Sequence, residues 1–155
     1  MTPFFYIINM KIENRKARFE YTILDTYICG IVLFGSEVKS LRKGKGNISD
    51  AYCYINDGEV WMKGSHISKF DSDKYTNHDE KRERKLLLNK KEILKINQEL
   101  QTQGITLIPL KFFSNEHNLI KVEIGVCKGK KLYDKRNDIK EKENKRELDR
   151  IMKNF

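Results

Sequence analysis

Leu119-Ile120-Lys121-Val122-Glu123-Ile124-Gly125-Val126-Cys127-Lys128 decides the fold. Ile120, Val122, Ile124 and Val126 fall on one face and Lys121, Glu123, Gly125 and Cys127 on the other, the period of a strand with one side in a core. Residues 105–113 read as a second long strand, and Ser114-Asn115-Glu116-His117-Asn118 joins the two into a hairpin. Outward from it, residues 51–55 and 59–63 flank Asn56-Asp57-Gly58, whose Asp-Gly step tolerates positive φ and marks a tight turn. Phe19, Tyr21 and Ile23 alternate with Arg18, Glu20 and Thr22 as a half-buried strand, and residues 28–34 form an almost wholly apolar, central one.

Two helical segments interrupt the strands. Gly35-Ser36 offers a break and an N-cap, after which residues 37–43 make a short helix with Val38 and Leu41 inward and Lys39, Arg42 and Lys43 outward. Residues 90–103 carry the clearest helical signal, with Asn89 and Glu92 as a capping box, an Ile93, Ile96, Leu100 stripe, and Gly104 as the stop. Residues 66–84 read as a long exposed loop. Strands without βαβ repeats argue for a mainly β fold: a small OB-like antiparallel barrel with one or two helices packed on it.

The chain has 155 residues and a net charge of +9, of which residues 128–155 carry +5 and the rest +4. Both parts favour an anionic partner, and nucleic acid leads because its phosphates attract such a field whatever the base sequence. Cys29, Cys53 and Cys127 form no C-x-x-C pair and read as core residues of a reducing compartment, with neither a disulfide framework nor a zinc site. Phe4-Phe5-Tyr6-Ile7-Ile8 is too short to span a bilayer and lacks a cleavage site, so neither secretion nor membrane insertion is expected. The expected organisation is an N-terminal extension at 1–10, of which 1–9 precede the alternative start Met10, an RNA-binding barrel at 11–131, and a basic tail at 132–155. The tail is poor in apolar residues and is expected to be disordered when free. Leu148, Ile151, Met152 and Phe155 nonetheless lie at i, i+3, i+4, i+7, the stripe of an inducible amphipathic helix expected from about Asp138 onward.

Taken alone, the Lys39, Arg42, Lys43 cluster is more often a solvated helix face than a binding site. His78-Asp79 with Asp71 and Asp73 resembles the carboxylate and imidazole set of a two-metal phosphodiesterase, but the loop context and the want of a second His-Asp group leave it a minor reading. Tyr52, Tyr54 and Trp61 are more often core or rim residues of a hairpin than base-stacking platforms.

Five segments together resemble one family. Asn14-Arg15-Lys16-Ala17-Arg18, Gly35-Ser36-Glu37-Val38-Lys39-Ser40-Leu41-Arg42, Arg84-Lys85-Leu86-Leu87-Leu88, Gly104-Ile105-Thr106-Leu107-Ile108-Pro109-Leu110 and Gly129-Lys130-Lys131-Leu132-Tyr133-Asp134-Lys135-Arg136 are similar, in order and spacing, to the SsrA-binding proteins, the small protein B family. The resemblance spans residues 11–154. It implies an adaptor without catalytic activity that binds the tRNA-like domain of transfer-messenger RNA and delivers it to stalled ribosomes for trans-translation. It implies RNA contacts at Asn14, Lys39, Arg42, Arg84, Leu87, Lys121, Lys130 and Lys131. The tail would occupy the empty message channel near the decoding centre through Tyr133, Asp134, Lys135, Arg136, Ile151, Met152 and Lys153. Further implications are elongation factor Tu as a partner on the charged RNA, a monomer, a cytoplasmic location, and no cofactor or metal. Three positions depart from the family pattern: Ile28 where most members have an acidic residue that contacts RNA, Glu80 in place of a Pro, and Asn144 near a usual Trp. The competing readings are a generic OB-fold module for single-stranded RNA and a metal-dependent RNA-processing enzyme.

Overall fold

The computed structural model describes residues 10–70, 77–130 and 132–153, with the side chains of 132–134 outside that description. It is mainly β. The elements are β1 (Lys11–Glu13), α1 (Arg15–Glu20), β2 (Tyr21–Ile31), α2 (Gly35–Arg42), β3 (Gly46–Asn47), β4 (Tyr52–Asn56), β5 (Glu59–Lys63), β6 (His66–Ile67), β7 (Arg84–Leu87), α3 (Lys90–Leu100), β8 (Ile105–Ser114), β9 (Ile120–Gly129) and α4 (Leu132–Lys153).

The hairpin that decides the fold is the spine of the barrel. β8 and β9 pair antiparallel from Ile105↔Lys128 to Ser114↔Ile120. From β8 the sheet runs through β4, β5, β7 and β2 to β9, and β9 returns to β8, so six antiparallel strands close on themselves. β1 pairs with the remaining part of β8, and β3 with β6 forms a separate ribbon. Closure removes most of the unpaired strand edge that would otherwise invite another chain. The β4–β5 turn has Asp57 at φ 51 and Gly58 at φ 71, the conformation that the Asp-Gly step favours. Among the described residues no helix is long and apolar enough to cross a membrane.

Two bulges divide the interior. Register slips at Leu24 in β2 and at Leu110 in β8, and each extra residue exchanges the two faces of its strand. Cys29, Leu107, Phe112, Val122, Ile124 and Val126 consequently fill the barrel, each at most 1% exposed. On the other side of the bulges, Ile108, Leu110 and Cys127 pack under Ala17 of α1 as a second, smaller core. The three thiols are buried as expected, and burial pushes Cys29 up to about 12 and Cys127 up to about 11, so neither is a nucleophile at neutral pH.

Six expectations are corrected. Residues 18–20 are helical, because the Asn14 side chain caps α1 by accepting from the Ala17 N–H. The two strands expected at 19–23 and 28–34 are one long strand, β2, bent at its bulge. Within residues 66–84, β6 and the start of β7 are paired strands. Ser36 is not the cap of α2: the element begins after Phe34, whose N–H donates to the Glu37 carboxylate at 2.8 Å, while Ser36 turns inward to His78. α3 has its full capping box but ends at Leu100, three residues short of expectation. The tail is one helix from Leu132, less than two turns earlier than Asp138.

Candidate nucleic-acid interface

Gly30 of β2 pairs with Leu87 of β7, and a Cβ on Gly30 would stand 3.2 Å from that of Leu87. The want of a side chain there opens a hollow of about 330 Å³, with Leu87 and Leu119 as apolar lining and Arg42 and Lys121 as its cations. Leu87 is 49% exposed and Leu119 56%, so the apolar part faces solvent instead of closing on itself. No carboxylate is among the described residues that line it.

Arg42 is held there by the turn between β8 and β9. Its Nη1 donates to Asn118 Oδ1 at 2.6 Å and its Nη2 to the Asn118 carbonyl at 2.8 Å. Asn118 has φ 60, a left-handed conformation that Asn adopts more readily than most residues. A planar guanidinium bound at one edge keeps its remaining N–H donors oriented. Lys39 and Lys43, one turn apart on α2, take a different direction: their ammonium groups lie 5.3 and 4.9 Å from the centre of the Phe70 ring. α2 thus divides its cations between the hollow and the Phe70 side.

Arg42, Leu87 and Lys121 therefore line one hollow, with Lys39 exposed on the adjoining helix. Two expected RNA contacts are corrected. Arg84 is wholly buried: its Nε donates to Glu37 Oε2 at 2.5 Å and its Nη1 to Ser65 Oγ at 2.9 Å. Asn14 is 1% exposed, and its amide is spent on the Ile48 and Pro109 carbonyls and the Ala17 N–H. Both are polar groups whose burial is offset by full hydrogen bonding, and neither presents an atom to a ligand. Lys130 donates to the Arg18 carbonyl and pairs with Asp138 of α4, its side chain 14% exposed. Lys131 and the side chains of Tyr133 and Asp134 lie outside the described residues. In the rest of the tail Arg136, Ile151, Met152 and Lys153 are exposed and Lys135 half-buried.

His78 is a structural residue. The Ile67 carbonyl, 2.8 Å away, can only accept, so Nε2 carries a proton, while Nδ1 bonds Ser36 Oγ at 2.8 Å. With both nitrogens engaged in the interior, His78 is in no position to ligate a metal; Asp71 and Asp73 of that minor reading lie outside the described residues. Tyr54 donates to Glu83 at 2.7 Å on the barrel rim, and Tyr52 is 43% exposed beside it. Sequence reasoning missed Asn118 and Phe70; the single signal for either was an Asn at the end of a hairpin loop.

The family described as SmpB protein matches residues 11–154. The chain belongs to the SmpB family. SmpB relatives named SsrA-binding protein include that of Wolbachia pipientis subsp. Culex pipiens, 52% identical over 142 residues covering 92% of this chain and 95% of the relative. That of Thermosynechococcus vestitus is 49% identical, covering 91% and 93%, and that of Phocaeicola vulgatus is 47% identical, covering 93% and 96%. A solved SmpB structure, described as "tmRNA-SmpB: a journey to the center of the bacterial ribosome", superposes with a TM-score of 0.68 at 41% identity over 79% of this chain and 86% of that one.

Proposed function

We propose that this chain is an RNA-binding adaptor that holds the tRNA-like domain of transfer-messenger RNA and carries it to stalled ribosomes for trans-translation. The convergence of Arg42, Leu87 and Lys121 on one hollow, with no carboxylate among its described lining residues, is the observation that carries the reading, and the match to SmpB proteins supports it. Phosphates are neutralised by Lys39, Arg42 and Lys121, and the apolar lining of Leu87 and Leu119 takes a base or ribose splayed from the stack. Such a surface reads the shape of a folded RNA. Ile28, 62% exposed two residues before Gly30, adds apolar surface on β2 where most members have an acid.

The tail belongs to the ribosome in this reading. Its exposed cations meet the phosphates that line the empty message channel, and its stripe of Leu148, Ile151 and Met152 is buried there. The chain works as a cytoplasmic monomer, with elongation factor Tu bound to the charged RNA and not to the barrel, and it catalyses no reaction. Recovery of RNA crosslinked to the protein in cells is the test. Transfer-messenger RNA dominates the recovered pool if the reading holds; a pool of unrelated single-stranded RNA refutes it in favour of a generic module.

A further inference from the structure

The turn that holds Arg42 is itself held. Asn115 Oδ1 accepts from the His117 N–H at 3.0 Å and from the Leu119 N–H at 2.9 Å. The Asn115 N–H donates to the Leu119 carbonyl and the Asn115 carbonyl accepts from the Asn118 N–H, both at 2.9 Å. Asn118 is thus presented by a knitted turn, with φ 60. Its bond to Arg42 also fixes which end of its amide is which. A guanidinium only donates, so the atom 2.6 Å from Nη1 is the amide oxygen, and Nδ2 is the other end of the group. That nitrogen makes no hydrogen bond among the described residues, and it is not sealed from solvent. Arg42 in turn spends two N–H donors on Asn118 and keeps three, one on Nε and one on each terminal nitrogen. Both of its acceptors are neutral, so the guanidinium is fixed without loss of charge, unlike Lys130 against Asp138.

We propose that Asn118 is a further RNA-binding residue of the hollow: its two oxygens position Arg42, and its Nδ2 donates to the same backbone phosphate that Arg42 neutralises. Distance permits the sharing. The C–O and C–N bonds of an amide sum to about 2.6 Å, so Nδ2 lies within about 5 Å of Nη1. Two oxygens of one phosphate, each taking a bond of about 2.8 Å, bridge that span. A guanidinium held in advance also escapes part of the ordering cost that a long side chain meets on binding. The amide adds donors without adding charge, so its contribution and that of Arg42 respond differently to salt. The inference rests on the reading of the hollow as the RNA face made above.

The test uses the full chain and a transcribed tRNA-like domain of transfer-messenger RNA, with affinity measured against salt. Asn118→Gly suits the positive φ and keeps the carbonyl bond to Arg42, so it removes the amide alone. It weakens binding about tenfold and leaves the slope of log affinity against log salt unchanged. Asn118→Asp still holds Arg42 but cancels its charge and lacks Nδ2. It binds more weakly than Asn118→Gly, and the magnitude of its slope falls by about 0.7–0.9. Against Arg42→Ala, Asn118→Gly costs less than in the wild type but still costs something. An equal loss in both backgrounds overturns the positioning, and no loss without Arg42 overturns the direct contact. If Arg42→Ala with Lys121→Ala weakens binding but Asn118→Gly does not, the proposal is wrong and the RNA face stands. If that double variant changes neither affinity nor slope, the RNA face fails and the proposal with it. Should Asn118→Gly disturb folding, the wild-type chain decides by NMR: side-chain amide protons of Asn118 that shift on adding the RNA support the contact, and unmoved ones overturn it.

Discussion

Glu37 Oε2 and Arg84 Nε meet at 2.5 Å with both side chains closed off from water. Arg82 joins the same carboxylate at 2.5 Å through Nη2, so one acid balances two guanidiniums. Glu37→Gln leaves buried positive charge without its counterion and lowers unfolding free energy by about 3–5 kcal/mol. Denaturant titration of the variant reads this directly, and an unshifted midpoint refutes it.

The same carboxylate makes stability depend on pH. Burial opposes its charge, but hydrogen bonds from Arg82 and the Phe34 N–H, with the field of Arg84, more than offset that and hold Glu37 below its ordinary value of 4.5. A depressed folded value means that the charge stabilises at and above the ordinary value, and that this contribution drains away as pH falls below 4.5 and through the folded value. The wild-type denaturation midpoint therefore falls across that acid range, and Glu37→Gln flattens the part of the fall that Glu37 causes. A wild-type and variant profile of identical shape would contradict the assignment.

Ile124 sits at the centre of the β8–β9 hairpin, wholly buried. Truncation to Ala removes three carbons from a packed interior and costs about 2–5 kcal/mol. Because the residue faces the barrel and not the hollow, RNA affinity of the folded fraction is unchanged; a variant that loses affinity while keeping its thermal midpoint would show the roles reversed.

Gly30→Val fills the floor of the hollow. The new side chain crowds Leu87, with a folding cost of about 1–3 kcal/mol. It also denies the floor to a base, so affinity for the tRNA-like domain falls about tenfold or more, roughly 1.4 kcal/mol. No charge has been removed, so the salt slope stays as in wild type, in contrast to the effect of Lys121→Ala.

α4 has little to lean on. Residues 139–153 are exposed, and its described attachments to the body include the Lys130–Asp138 pair and Lys142 set 6.0 Å from the Phe19 ring. Surface pairs contribute about 0–1 kcal/mol, and most of a helix's stability in a protein comes from packing one face against a body, which α4 largely lacks. Far-UV circular dichroism should therefore lose the tail's helical signal on warming well before the barrel melts, and earlier still in Asp138→Asn. Truncation after Lys131 should keep RNA binding and abolish tagging on stalled ribosomes in a cell-free assay. A truncated chain that tags at the normal rate would remove the tail from the mechanism.

The barrel was legible because β9 keeps period two without an extra residue of its own, and the Asp-Gly turn and the Asn89–Glu92 box are local signals that tertiary context left intact. α1 was not, because Arg18 to Ile23 alternates in polarity over a span that the fold divides between a helix and a strand. What decides the matter is the Asn14 side chain, whose bonds to Ile48 and Pro109 join residues 34 and 95 positions apart. Arg84 was misplaced for a related reason. An arginine is ordinarily a surface residue, and the carboxylate that makes its burial possible stands 47 positions earlier. Arg42, Leu87 and Lys121 were found through ordered motif matches, whereas the hollow that unites them follows from a cross-strand pairing and a missing side chain.

Gly129 ends the last barrel strand and Leu132 begins a helix of 22 residues. At 1.5 Å per residue that helix is a rod of about 33 Å, so a rotation of roughly 10° at its root carries the tip about 6 Å, more than a full helical pitch. The barrel is then the handle of a gauge. A small error in how the body is seated on its RNA is magnified at the far end, and whatever holds the tip tests the seating of the whole assembly.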